Sequence, residues 1–519
     1  MNKGLVILIN PGHDDEVSED VARSFGARSR DIPREDPPIS IINLGGFIRD
    51  SGFDVRILDT HVEPNYRDIL RSLIKERPLA IGLSVMLGKF TKNAVSLTKF
   101  IKEIARGIPV VWGGKLTHLA KDKILQETDT DYLVIGDGEF PFLALLEALR
   151  TGGSIDGIEG LGYKKNGLVV INSGCVTVEN LDDIYQSEDF GWDLVKEKIN
   201  YRQVPYFINL YTSRGCHFNC SFCYLMDIKE MKPGLRYRRR SPENIIREIG
   251  YLSENYGIKV FTFGDDDFLY DIKKIIPILH YFKEKGLYIE HFWTNINNLN
   301  SETIGLLKGI CQTACYSVET ASPRLQKVLN KIMPVGKVLK VNKLLRDAGI
   351  NVVHNFLFGI PTEKDEDTKQ NIDLMKEIKR VNPYSRANCY ILSPIPGTPI
   401  FEFAKSLAKT DIPWTLNDLG NYHFRYMGES ASKFRPYLTT GDNMFYAKIT
   451  VLANELFAEI NEPANERQRT EIRNSKRLKF IFGDLDEIRY PGDKKKKYIL
   501  NEVIRAIENG KEIPRIEPF

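Results

Sequence analysis

The sequence predicts an α/β protein with a Rossmann-like, doubly wound parallel sheet at the N-terminus. A partial (β/α)6 barrel of TIM type follows, and then a mainly helical C-terminal region. Two observations carry this reading. Apolar strand-like runs alternate with amphipathic helical runs in two separate series, and many of the strands end on glycine. The length of 519 residues also exceeds that of one ordinary domain.

The first series opens on GLVILIN (4–10), a continuous apolar run closed by Pro11-Gly12. ISIINLGGFIRDSG (39–52) has helical spacing and ends on Gly52, and FDVRILD (53–59) is the next strand. The order continues with helix 66–77, strand 79–87, helix 94–104, strand 108–114, helix 119–126, strand 131–137 and helix 140–149. Uninterrupted apolar strands of this kind belong to a parallel sheet covered on both faces. Such sheets bind ligands beyond the carboxyl ends of their strands. The candidate lining is therefore Pro11, Gly12 and His13; Ser84, Val85 and Leu87; Gly113, Gly114 and Lys115; and Gly136, Gly138 and Glu139. Each glycine could equally serve only its turn. Paired glycines at successive strand ends suit a large ligand lying against backbone.

YKKNGLVVIN (163–172) reads as a hairpin turning at Asn166-Gly167. The polar, irregular stretch after it sets the domain limits at 1–150, a linker at 151–202, the barrel at 203–404 and a C-terminal helical region at 405–519. The barrel strands are YFINLYTSRG (206–215), KVFTFGDDD (259–267), YIEHFWTN (288–295), ACYSVETA (314–321), NVVHNFLFGIP (351–361) and ANCYILSPIPG (387–397). Chemistry in such barrels sits at the C-terminal strand ends. The last region reads as a helical cap over the barrel mouth.

Composition narrows the function. The chain is 42% hydrophobic and 27% charged, a globular profile, with a formal net charge of only +3, which gives no reason to expect nucleic acid as a partner. No run approaches the roughly 18 apolar residues of a membrane span. The N-terminal run lacks a cleavage site, so a cytoplasmic location is expected. Seven cysteines make no disulfide framework, and in a reducing compartment a tight cluster of them points to a metal or redox site.

That cluster is RGCHFNCSFC (214–223), just past the first barrel strand. Cys216, Cys220 and Cys223 can hold three irons of a 4Fe–4S cluster and leave the fourth open, whereas electron-transfer clusters take four cysteines. A structural zinc site or three unrelated thiols are the alternatives. Zinc would need a fourth ligand, and His217 is badly placed between two cysteines.

At these residues the chain resembles the radical S-adenosylmethionine family, in the branch that carries an N-terminal cobalamin-binding domain. VVWGGKLTHLA and YLVIGDGEFPFLALLEAL resemble that domain's last strand ends. RYRRRSPENIIREI, FTFGDDDF, YSVETAS, FLFGIPTEKDEDT and SPIPGTPIF resemble successive barrel segments of the same branch. The resemblance covers about residues 1–400 and implies three cofactors: a 4Fe–4S cluster, S-adenosylmethionine and cobalamin. Its further implications are residue by residue. Phe222 lies in the cluster loop, Asp265 and Asp266 face the S-adenosylmethionine amino group, and Ser317 and Glu319 suit the ribose hydroxyls. Gly359 allows close approach of the nucleoside, and Tyr390 and Ile391 lie along the adenine. It implies no catalytic side chain beyond these.

Asp267 reads as a helix cap. Arg236 to Arg240 read as a solvated loop entering a helix capped by Ser241 with Pro242 at its first position. Cys311 and Cys315 read as buried small hydrophobes, Cys175 and Cys389 as inert, and DKKKK (493–497) as a solvated face. Thr362 replaces the second glycine of the family's GxPGET, so that loop is expected to differ. DTHVEP (59–64) ends in Pro64 and follows the second strand, so His61 reads as coincidental. Cobalamin is expected to bind without a histidine ligand, with His13 as the alternative.

The resemblance implies a radical methyltransferase that acts on an unactivated carbon through a 5′-deoxyadenosyl radical and methylcobalamin. The alternative is a non-methylating cyclase, rearrangement or C–C bond-forming enzyme with a bound corrin. A cobalamin sensor fits less well with the intact cysteine motif. The expected partners are a small-molecule or lipid-like substrate and an external one-electron reductant of flavodoxin or ferredoxin type.

Overall fold

The computed structural model describes residues 2–12, 37–196, 207–225, 235–408, 411–422, 433–457 and 466–483. Two parallel sheets dominate it. The first contains β1 (Leu5–Asn10), β2 (Asp54–Asp59), β3 (Ala80–Ser84), β4 (Val110–Gly113), β5 (Tyr132–Val134), β6 (Leu161–Lys165) and β7 (Leu168–Ile171). Its order is β2-β1-β3-β4-β5-β6-β7. β1 to β5 are parallel, and β1 lies between β2 and β3, so the topological switch point falls at its carboxyl end. Leu5 to Ile9 are all buried, as a central parallel strand requires.

The hairpin turns at Asn166-Gly167 with φ of 54° and 80°, the mirror-image turn that suits strand twist. It does not belong to a linker. β6 pairs antiparallel with β5 and extends the first sheet, so that unit runs on to Ile171.

The second sheet takes β8 (Phe207–Leu210), β11 (Val260–Phe263), β12 (Tyr288–Trp293), β13 (Cys311–Glu319), β14 (Asn351–Phe358) and β15 (Arg386–Ile391) in strictly sequential order, all parallel. Sequential order with right-handed crossovers puts every helix on one face, which gives a partial barrel. On the opposite face the Asn355 amide donates to Ser317 Oγ at 3.2 Å, and Asn388 donates to Asn355 at 3.3 Å. A small ribbon of β9 (Ser213–Gly215) and β10 (Tyr237–Arg239) stands beside the barrel.

The stretch between the sheets is packed, although it reads as polar. Tyr185, Phe190 and Trp192 join the same core as Ile39 and Ile42 of the first unit and Ile245 and Ile249 of the barrel. Trp192 donates its indole N–H to Glu248 at 2.8 Å, and Glu248 pairs with Arg240. Both members of that pair are 1% exposed. This corrects the reading of 236–240 as a solvated loop: Arg238 and Arg239 form β10, and Arg238 to Arg240 are all buried. The cap at Ser241 is present and accepts from the Asn244 N–H, with proline at the first helical position.

The C-terminal helix Thr440–Leu456 lies along the free edge of β15, not across the mouth. Asn454 accepts from the Cys389 N–H at 2.8 Å and donates to its carbonyl at 3.0 Å, so one side-chain amide pairs a strand edge that would otherwise be open. Residues 493–497 lie outside the described residues. Among the described residues no helix is long and apolar enough to cross a membrane.

The buried Arg240–Glu248 pair gives a stability prediction. Glu248→Ala should cost about 3–5 kcal/mol, because it strands a buried guanidinium. Glu248→Gln keeps an acceptor for Trp192 and should cost less. Urea unfolding followed by tryptophan fluorescence measures both, and equal midpoints for wild type and Glu248→Ala would contradict this account.

Candidate functional site

The cysteine loop is separated from the other thiols by exposure. Cys216, Cys220 and Cys223 are half-buried, whereas Cys175, Cys311, Cys315 and Cys389 are buried. Burial pushes the Cys311 and Cys315 thiols up, so they stay protonated as structural residues. The loop begins at Gly215, whose φ is 82° and where a Cβ would strike the Arg236 carbonyl. Ser221 then anchors it. Its N–H donates to the Leu329 carbonyl at 2.9 Å, its Oγ to Val328 at 2.8 Å, and its own carbonyl accepts from Ile400 at 3.0 Å. Phe222 packs against the cluster of Leu325, Leu357, Ile360 and Leu392, which pins the loop to the ends of β14 and β15. His217 stacks on Tyr270, with ring centres 3.9 Å apart. Among the described residues no three Cys, His, Asp or Glu converge as on one metal ion. An iron–sulfur cluster takes each thiolate on a different iron, so a spread of three half-exposed thiols in one anchored loop fits it.

Next to this loop lie the barrel strand ends, and the aspartates there divide their roles. Asp265 is buried and accepts from the Thr212 N–H and Oγ and from Ser213 Oγ. Those bonds tie the end of β11 to the segment that follows β8 and occupy the Asp265 carboxylate with protein donors. Asp266 is exposed, and it is the carboxylate of the pair that a ligand can reach. Asp267 caps no helix. It accepts from Thr294 Oγ, the Asn295 N–H and the Asn298 amide, and so secures the end of β12. The residue at the N-terminus of the next helix is Asp271, whose side chain makes no capping bond.

On β13 the register slips between Ser317 and Glu319, and Glu319 adopts a φ of 64°. A bulge with a left-handed, non-glycine residue stores strain of the kind found at functional sites. Lys331 donates to Glu319 at 2.8 Å and holds it there. Gly359 has a φ of 68°, and its carbonyl accepts from the Tyr437 hydroxyl at 2.7 Å. Tyr390 is half-buried and Ile391 buried beside it. Thr362 has a left-handed φ of 73°, a conformation that favours glycine, and Arg324 holds its hydroxyl at 2.9 Å and its carbonyl at 2.8 Å. Burial of the carboxyl group pushes Glu363 up to about 8, although part of the residue reaches the surface.

The first sheet's strand ends face this region, and its glycines also divide. A Cβ on Gly113 would meet nothing within 4 Å, and one on Gly138 only Val134 at 3.9 Å. This open backbone fits close approach of a corrin. Gly114, at φ of 91°, is needed because a Cβ would lie 2.8 Å from the Val85 carbonyl. Gly136 is structural: it bridges to Val176, and a Cβ would lie 2.7 Å from Cys175 Sγ. Pro11 and Gly12 are buried against the backbone at Thr60 and His61. Ser84 lies 3.1 Å from Ser40 Oγ, the Val85 N–H donates to the Gly113 carbonyl, and Leu87 is half-buried. His13 lies outside the described residues.

Two expected corrin residues reach across to the barrel instead. Glu139 is 4% exposed and takes a two-pronged contact from Arg214, at 2.7 and 3.2 Å. Its neighbour Asp137 accepts from Arg214 at 2.8 Å and pairs with Arg238. Burial alone would raise the Asp137 carboxyl, but these two guanidinium groups outweigh it and hold it below the ordinary range. Lys115 donates to the Tyr224 hydroxyl, next to Cys223. Arg214 and Tyr224 went unnoticed in the sequence, and Asp137 stood only within the stretch from Gly136 to Glu139 expected to line the corrin. Their only signal there is adjacency to the cysteine motif and to the glycines.

Comparison with known proteins bears on both halves. Residues 210–375 match the Radical SAM superfamily and 31–146 the B12 binding domain. An uncharacterized methyltransferase, PH0819, of Pyrococcus horikoshii is 31% identical over 375 residues, covering 71% of this chain and 78% of that protein. Cytidylyl-2-hydroxyethylphosphonate methyltransferase of Streptomyces wedmorensis is 23% identical over 425 residues, covering 71% and 78%. An anaerobic magnesium-protoporphyrin IX monomethyl ester cyclase of Synechocystis is 26% identical over 271 residues, covering 50% and 49%. In fold, the chain superposes on the cobalamin-dependent radical enzyme OxsB with aqua-cobalamin and S-adenosylmethionine bound, with a TM-score of 0.67 at 15% identity over 98% and 74% of the chains. It also superposes on the methyltransferase TsrM of Kitasatospora setae, with a TM-score of 0.61 at 18% identity over 85% and 86%.

The contrast between glycines gives a paired prediction. Gly113→Trp should fold yet lose cobalamin uptake, because the ring would fill the open space. Gly136→Ala should instead lower stability, through its left-handed φ of 103° and the collision with residues 175–176. Corrin absorbance after gel filtration and a thermal scan separate the two. A Gly113→Trp protein that retains cobalamin would show that the corrin does not lie there.

Proposed function

Because the chain belongs to the cobalamin-dependent radical S-adenosylmethionine enzymes, we propose that it transfers a methyl group to an unactivated carbon of its substrate. The observation that carries this is the facing of two cofactor sites within one chain, joined by Arg214 and Arg238 on one side and Asp137 and Glu139 on the other. When bound, the cluster with S-adenosylmethionine supplies a hydrogen-abstracting 5′-deoxyadenosyl radical, and cobalamin supplies the methyl group.

The chain's own residues do the holding and orienting. Cys216, Cys220 and Cys223 hold the cluster from a loop fixed by Ser221 and Phe222. Asp266 offers an exposed carboxylate to an ammonium group. Glu319 and Ser317 present oxygen atoms at the bulged end of β13 for hydroxyl groups. Gly359 leaves the backbone at the end of β14 without a side chain. Asp265 and Asp267, both buried, tie the strand ends of β11 and β12 to their neighbours. The polar row Ser317–Asn355–Asn388 suits a small substrate with hydrogen-bonding groups, and electrons come from an external one-electron donor of flavodoxin or ferredoxin type. Seven cysteines without a disulfide fit a reducing, cytoplasmic setting.

A cyclase reading draws on the likeness to the magnesium-protoporphyrin cyclase, which covers half of each chain. Labelling decides between the two. With methyl-deuterated S-adenosylmethionine, the product should be heavier by one labelled methyl, and S-adenosylhomocysteine should rise together with 5′-deoxyadenosine. An unlabelled product formed with 5′-deoxyadenosine alone would overturn methyl transfer in favour of the cyclase. Replacing all three loop cysteines by Ala should abolish iron–sulfur absorbance and S-adenosylmethionine cleavage while corrin stays bound. Iron retained at wild-type level in that variant would remove the loop from the cluster site.

A further inference from the structure

Lys115 lies two residues after Gly113, where a Cβ would meet nothing within 4 Å. Its ammonium donates to the phenol of Tyr224, the residue after Cys223. The Asp266 carboxylate, past the end of β11, lies near enough to favour the Lys115 ammonium electrostatically. The contact itself joins the end of β4 to the cysteine loop.

Exposure separates this contact from the ion pairs that join the two units. The pairs between Asp137 or Glu139 and Arg214 or Arg238 are largely buried, with side chains between 6% and 25% exposed. By contrast, Lys115 and Asp266 are exposed and Tyr224 is half-buried. A solvent-facing hydrogen bond of this kind adds little to docking that buried ion pairs already provide. Its position is what distinguishes it, because one end is continuous with the corrin-side backbone and the other with a cluster ligand.

We propose that the Lys115–Tyr224 hydrogen bond is a positioning contact through which the corrin site and the cysteine loop bias each other, so that cobalamin and the iron–sulfur cluster bind cooperatively. A ligand lying on Gly113 sets the backbone that carries Lys115. Lys115 in turn sets Tyr224, and the peptide bond passes the placement to Cys223. By linkage the effect is reciprocal: a filled cluster site tightens cobalamin binding by the same factor by which cobalamin favours the cluster. The proposal rests on this chain holding both cofactors and is independent of methyl transfer.

The test is a cobalamin titration of full-length protein with and without a reconstituted cluster, read by corrin absorbance. Wild type should bind cobalamin more tightly when the cluster is present, by a factor of about five or more. Tyr224→Phe keeps the ring and removes the acceptor, and Lys115→Met keeps the stem and removes the donor. In each, the factor should fall below about two. Cobalamin should also shift the electron paramagnetic resonance of the reduced cluster in wild type but not in Tyr224→Phe. Should Tyr224→Phe fail to take up the cluster, Lys115→Met, which lies outside the loop, carries the test alone. Equal cobalamin affinity with and without cluster in wild type overturns the proposal, as does coupling that survives in Lys115→Met. A failed methylation assay would alter neither result.

Discussion

The arrangement of both cofactor sites depends on four charged side chains at the junction of the two sheets. Asp137 and Glu139 project from the end of β5, and Arg214 and Arg238 come from the ribbon that leads into and away from the cysteine loop. Burying such charges is costly unless each finds a well-placed partner. Here Glu139 takes two nitrogens of one guanidinium, and Asp137 also accepts from the Val178 N–H at 2.7 Å. Arg238 in turn donates to the Val178 carbonyl at 2.6 Å. The network thus binds the first sheet, the connecting stretch and the ribbon in one register. A sliding displacement of either unit would leave buried charges unpaired, so their relative placement is set by electrostatics as much as by the apolar core around Trp192.

Backbone strain gathers at the barrel end that faces this junction. Glu319 and Thr362 both hold left-handed conformations without being glycine, and each is held by a basic side chain, Lys331 or Arg324. Arg324 also pairs with Asp367, so the Thr362 turn is tied to the following helix. A strand end kept by such bonds does not relax when a ligand leaves. These strand ends are therefore organised without a ligand, which lowers the ordering cost of binding one.

Much of this was legible in the sequence, because the signals were local. Central parallel strands are buried on both faces and read as unbroken apolar runs, and the cysteine spacing lies within one loop of ten residues. Where the reading failed, chemically identical residues differed only in neighbours distant along the chain. Asp265 and Asp266 are adjacent, yet one is consumed by Thr212 and Ser213 and the other faces solvent. Gly113 and Gly136 both end strands, but only Gly136 has a segment, at Val176, packed on its Cα. The connecting stretch misled for a related reason. Tyr185, Phe190 and Trp192 follow no helical or strand period, so nothing in their spacing announced a core.

The two sheets also solve their edges differently, and this decides where ligands can enter. The first sheet closes one side with its own hairpin, β6 and β7, whose outer strand carries the exposed Leu168. The barrel sheet has no such hairpin among the described residues, and its last strand, β15, is met by the C-terminal helix instead. It uses Asn454 to pair the backbone of Cys389, and Phe457 to accept from the Ala387 N–H at 3.2 Å. Past the paired stretch, the chain at the carboxyl end of β15 runs to Ser393. There Arg435 donates to Ser393 Oγ at 2.9 Å and Tyr437 reaches the Gly359 carbonyl. The C-terminal region therefore acts on the site in two ways: its helix closes the sheet, and the segment before that helix lines the rim where the strand ends open.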